Sequence, residues 1–131
     1  GSFARIFRLS LDSTGEVKYE WTTTGGATFD DSIITAASGI VSSQWYFIVL
    51  DKDSTGKMRI YVNGVMRVSD TPPTSLVNIF SGAMSVGQSL LGGGPLNGYL
   101  DDVRITRGIS RYGDVYGDAS FSPPTEAFPD P

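Results

Sequence analysis

Cysteine and histidine are both absent from this chain. Without cysteine there are no disulfides and no thiolate metal sites, and without histidine the commonest general base and metal ligand near neutral pH is gone. Glutamate is scarce, confined to Glu16, Glu20 and Glu126, so an active site would start from a poor inventory. No apolar run approaches the roughly 20 residues of a membrane span, and no charged-then-apolar segment opens the chain. Basic side chains number 10 against 14 acidic ones, a net charge of -4, which argues against a sequence-independent grip on nucleic acid phosphates. A soluble protein is expected, with neither nucleic acid nor a membrane interior as partner.

Glycine and proline are plentiful: 16 and 7 of 131 residues. Turn signals recur about every ten residues, a spacing that favours many short strands over helices. Gly1-Ser2 reads as a cloning scar, residues 3–119 as one β-sandwich domain, and residues 120–131 as an extended Pro-rich tail. Phe7, Leu9 and Leu11 alternate with polar residues over Arg5 to Leu11, and Val17, Tyr19 and Trp21 do the same beyond Asp12-Ser13-Thr14-Gly15. A weaker strand is expected around Ser32 to Ala37. The run from Trp45 to Leu50 is apolar at every position, which predicts a strand covered on both faces. Asp51 to Gly56 reads as a solvated hairpin loop. Met58, Ile60 and Val62 then alternate up to Asn63-Gly64, the strongest hairpin signal in the chain, because a type I′ turn needs positive φ at both central positions. Val65 to Ser69 is the return strand. Thr71-Pro72-Pro73-Thr74 cannot sit inside a sheet. Two further strands are expected at Ala83 to Gly87 and Gly98 to Thr106. About eight strands with no convincing helix fit an all-β, antiparallel β-sandwich of the jelly-roll type.

Period-2 counting along the last strand puts Asp101 on the face of Tyr99, Val103 and Ile105, and Asp102 on that of Leu100 and Arg104. A carboxylate in an apolar row must be hydrogen-bonded, paired or on a metal. Asp101 is therefore expected to accept backbone N–H bonds, with calcium ligation as the alternative.

Gln44-Trp45-Tyr46, Met58-Arg59-Ile60-Tyr61-Val62-Asn63-Gly64, Met84-Ser85-Val86-Gly87 and Leu96-Asn97-Gly98-Tyr99-Leu100-Asp101-Asp102-Val103-Arg104-Ile105 together resemble the laminin-G-like, concanavalin A-like lectin/glucanase superfamily. The ending Ser110-Arg111-Tyr112, Phe121-Ser122-Pro123-Pro124-Thr125 and Phe128-Pro129 is similar to the version found in bacteriophage structural proteins. The resemblance implies a virion location, a core position for Trp45, a structural calcium in some relatives, and several strands ahead of Phe7 that this chain lacks. An oligomer or an additional domain would then complete the sheet.

Tyr46 and Tyr61 each lie opposite their strand's expected core row, which makes them the candidates for sugar stacking. Ile48 and Leu50 share the face of Tyr46 and need a cover. Arg104, Arg107 and Arg111 are expected to pair with Asp101, Asp102 and Asp114 nearby, with an anionic sugar or a phosphate as the alternative, since the guanidinium fork matches either; Arg107 and Arg111 are the candidates carried forward. Gly92-Gly93-Gly94 lacks the Lys-Ser/Thr of a P-loop and reads as a sheet connection. Glu16 and Glu20 have no third acid beside them, so no glycosidase site is expected and the chain is read as non-enzymatic. The expected function is recognition of a cell-surface glycan by a phage virion protein, with loops Thr71 to Asn78 and Leu90 to Leu96 presenting contacts. The alternative is an assembly domain contacting a neighbouring virion protein.

Overall fold

The computed structural model describes residues 6–36, 38–73, 83–89 and 94–128. Among them are two three-stranded antiparallel sheets and a single-turn helix. The first sheet is β1 (Phe7–Leu11), β2 (Val17–Trp21) and β3 (Asp31–Ile34), in that order. Val17, Tyr19 and Trp21 are buried on one face of β2, and burial pushes the Tyr19 hydroxyl up to about 12. On the other face Glu20 forms ion pairs with Arg8 and Lys18.

The second sheet is β4 (Ile48–Lys52), β5 (Met58–Val62) and β6 (Val65–Asp70). Asn63 and Gly64 turn the β5–β6 hairpin with φ of 52 and 78, the two positive values that the sequence requires there. Ile60 faces Val68 while Tyr61 faces Met66. Arg67 is thus the extra residue of a β-bulge.

The sheets share one core, built from Val17, Tyr19, Trp21 and Ile33 on one side and Met58, Ile60 and Val62 on the other. The Trp21 indole N–H, buried there, meets no acceptor among the described residues. Tyr46, Ile48 and Leu50 pack at the margin of this core, which reverses the face assignment expected for β4. An all-apolar run has no alternation of its own, so the partner strand sets its phase. Ile48 lies opposite Val62 and Leu50 opposite Ile60, and residues directly opposite share a face. Trp45, expected in the core, precedes the strand and is 67% exposed.

Three other expectations are corrected. Asp51 and Lys52 belong to β4, and the loop begins at Asp53. Ala83 to Gly87 and Gly98 to Thr106 form no strand: among the described residues no neighbour hydrogen-bonds to them in a ladder, Asp102 takes φ 49, and Tyr99 is 86% exposed. Asp101 is therefore not set into a buried row. Finally, a helical turn, α1 (Gly113–Tyr116), occurs where none is expected. Residues 74–78 and 90–93, in the two loops expected to present contacts, lie outside the described residues, as do Gly1-Ser2 and the end of the tail.

β5 is buried along its whole length. Its outer row, Arg59 and Tyr61, lies under residues 110–121: the Tyr61 hydroxyl donates to the Gly117 carbonyl at 2.6 Å, and Phe121 N–H donates to the Gly64 carbonyl at 2.9 Å.

Candidate functional site

Asp51, near the end of β4, organises the segment that carries the site. Its Oδ1 accepts from the Ser110 hydroxyl and from Gly113 N–H, and its Oδ2 from Arg111 and Tyr112 N–H at 3.1 and 3.2 Å. A Cβ at Gly113 would lie 2.6 Å from Asp51 Oδ1, so a larger residue there would displace the Asp51 carboxylate. The Ser110 hydroxyl also accepts Asp114 N–H at 2.9 Å, and the Asp114 carboxylate in turn accepts from Ser54 N–H and its hydroxyl. Arg59, buried, bridges Asp53 at 2.6 Å and Asp118 at 2.8 Å. The chain from Ser110 to Asp118 is thereby tied to the outer face of the second sheet at several independent points.

That anchoring sets an aromatic row in place. Tyr112 and Tyr116 stack with ring centroids 6.4 Å apart and planes at 28°, and Tyr116 stacks on Phe121 at 4.9 Å. Phe47 meets Tyr112, Phe121 and Phe128. Beside the row lies an open cleft of about 490 Å³, lined by Arg104, Arg111, Tyr112, Tyr116 and residues 124–128, Glu126 and Phe128 among them.

The cleft is basic at its wall. The Arg104 guanidinium lies over the Phe128 ring, 5.2 Å from its centroid. Arg111 Nε donates to the Thr106 hydroxyl at 3.0 Å. The ion pairs among the described residues include none of Arg104, Arg107 and Arg111. Two of the three expected carboxylate partners bond elsewhere: Asp101 accepts Asp102 N–H at 2.9 Å, and Asp114 accepts from Ser54. Burial pushes the Tyr112 hydroxyl above its ordinary value, against the lowering influence of Arg104 and Arg111, so at neutral pH it remains a protonated donor.

Of the residues the sequence singles out, Arg111 lines the cleft. Arg107 is exposed but outside it. Tyr61 is not available as a stacking platform: its relative exposure is 0% and its hydroxyl is spent on Gly117. Tyr46 faces the core, and its hydroxyl binds the 39–44 loop, accepting Val41 N–H at 3.1 Å and bonding Gln44 Oε1 at 3.2 Å. Tyr112, Tyr116 and Phe128 are the site residues missed; the signal was the four-residue spacing of the tyrosines, which places both on one face if the backbone turns helically. The Asp101 carboxylate engages its own neighbour's N–H, and among the described residues no group of three or more acids is arranged to hold a metal ion.

The family model of the Concanavalin A-like lectin/glucanases superfamily matches residues 2–109. No curated protein and no solved structure is matched. Arg111, Tyr112, Tyr116 and Phe128 all follow the matched segment. Two antiparallel sheets on a common core, together with a family match over most of its length, mean that the chain belongs to the concanavalin A-like lectin/glucanase superfamily.

Proposed function

We propose that this domain is a non-catalytic recognition module of a virion structural protein, and that it binds cell-surface carbohydrate in the cleft beside α1. The cleft itself carries the proposal. Aromatic rings and guanidinium donors converge at one open rim, the combination by which sugar C–H faces stack while sugar hydroxyls are hydrogen-bonded. Membership of a lectin-containing superfamily supports it. The virion setting rests on the likeness of the chain's ending to phage structural proteins, and a jelly roll completed by a further segment or a second copy belongs to the same reading.

Non-catalytic action is favoured by what the carboxylates do. A glycosidase needs two acids flanking the scissile bond. Glu20 is tied to Arg8 and Lys18, whereas Asp51, Asp53, Asp114 and Asp118 hold the C-terminal segment in place. Among the described cleft residues only Glu126 is acidic. The test is a glycan array probed with the native domain, Arg111→Ala and Tyr116→Ala. Binding is expected to disappear in both variants; equal binding by all three proteins would move the site elsewhere.

Assembly is the second reading. The observation favouring it is a set of apolar side chains left in solvent, including Trp45, Val103, Ile105 and Ile109.

A further inference from the structure

We propose that the cleft selects sugars bearing a carboxylate, the uronates and sialates, over neutral sugars; this rests on the carbohydrate reading above. Arg8 and Arg59 are each neutralised by carboxylates, whereas Arg104 and Arg111, which line the cleft with Glu126, are in none of the ion pairs among the described residues. Each is held so that donors remain. Arg104 lies over Phe128, and a guanidinium stacked on a ring keeps its in-plane N–H edge for an acceptor. Arg111 gives Nε to Thr106, which leaves both terminal nitrogens. The Arg111 backbone is itself bonded to Asp51, so the base of that side chain is fixed before any ligand arrives and less ordering is lost on binding.

A carboxylate between these two groups would leave its sugar ring beside Tyr112 and Tyr116, where the protonated Tyr112 hydroxyl offers a further donor. Glu126 on the same rim accepts sugar hydroxyls and disfavours a second negative charge, which selects the singly charged carboxylate over a phosphate monoester. The charge is local, because the chain as a whole carries -4. Attraction therefore acts at short range and weakens with added salt.

The test titrates the full chain, by calorimetry and by amide NMR shifts, with methyl glucuronoside, N-acetylneuraminate, methyl glucoside and glucose 6-phosphate. The better of the two carboxylate sugars is expected to bind at least about tenfold tighter than methyl glucoside, with an advantage that shrinks in high salt. Which of the two binds better identifies the class. Arg104→Gln and Arg111→Gln should each weaken carboxylate-sugar binding more than neutral-sugar binding and so abolish the advantage, and Arg111→Lys should restore part of it, since a point charge lacks the fork. The amide spectra report whether each variant is folded. Equal affinity for acidic and neutral sugars would overturn the selectivity and leave the carbohydrate reading standing. Tighter binding of glucose 6-phosphate would overturn the choice of carboxylate. Failure of the folded native chain to bind any of the four would sink both readings.

Discussion

Asp12 and Asp53 show how one carboxylate shapes a loop. Both open the sequence Asp-Ser-Thr-Gly, and in both Oδ1 accepts the N–H and hydroxyl of the threonine two residues on and the N–H four residues on. Asp53 has a further task, the buried ion pair with Arg59. The Arg59 hydrogen bond, helped by Thr55 and opposed by burial, holds its carboxyl well below the usual range. Asp118 is lowered by Arg59 and Lys57, and Glu20 is lowered because hydrogen bonds from Lys18 and Arg8 outweigh its burial. In the unfolded chain such groups titrate near 4, at about 3.9 for Asp and 4.3 for Glu. Since the folded values are the lower ones, this stabilisation is complete above that range and is lost as the pH falls through it toward the folded values. The urea midpoint should therefore be level from about pH 8 to 5 and fall steeply between about pH 4 and 2. Asp53→Asn should lower the plateau and flatten part of the acid fall. A variant that keeps the native acid slope would show that the pair does not hold the proton off.

Among the elements, the β5–β6 turn and the C-terminal segment depend on each other. Gly64 has φ 78, and a Cβ there would lie 1.8 Å from the Phe121 carbonyl oxygen. Gly56 has a similar φ of 88 but nothing within 4 Å. Gly56→Ala should cost only the left-handed conformation, about 1–2 kcal/mol, whereas Gly64→Ala must also undock Phe121 and should cost about 3 kcal/mol or more. Equal losses in denaturant titrations would mean that Phe121 does not seat on the turn. This interdependence also marks where sequence stops being informative. β2, β5 and the Asn63-Gly64 turn were legible because their alternation and φ demands are local. The phase of β4 was not, since Tyr46 to Leu50 is apolar throughout and takes its face from β5. Tyr99 to Ile105 has a strand's pattern yet forms none, because a strand needs a partner as well as a pattern. α1 spans four residues, too short for a helical period to register. Arg111, singled out for its chemistry, lines the cleft; Tyr112 and Tyr116, which line it too, were not singled out, because the turn that brings them together is made by Asp51, some sixty residues earlier in sequence.

At the scale of the whole molecule the two outer faces are unlike. The second sheet is covered by its own C-terminal segment, so Tyr61, which alternation alone assigns to solvent, is sealed. The first sheet ends at β1, an edge among the described strands. Phe7, Leu9 and Leu11 lie opposite Trp21, Tyr19 and Val17 and share their inward face, yet each is exposed by 40% or more. Val103, Ile105 and Ile109 add further apolar surface. Each such side chain, already partly buried, gains about 1 kcal/mol once fully covered, and an edge strand offers unpaired backbone groups besides. An assembly role thus predicts self-association that rises with concentration in sedimentation velocity and is weakened by Leu9→Lys or Ile105→Lys. The first of these charges the β1 edge and the second the exposed segment, so the variant with the larger effect identifies the surface that pairs. A native chain that sediments as a monomer at every concentration would remove assembly through its own copies and leave the cleft beside α1 to carry the function.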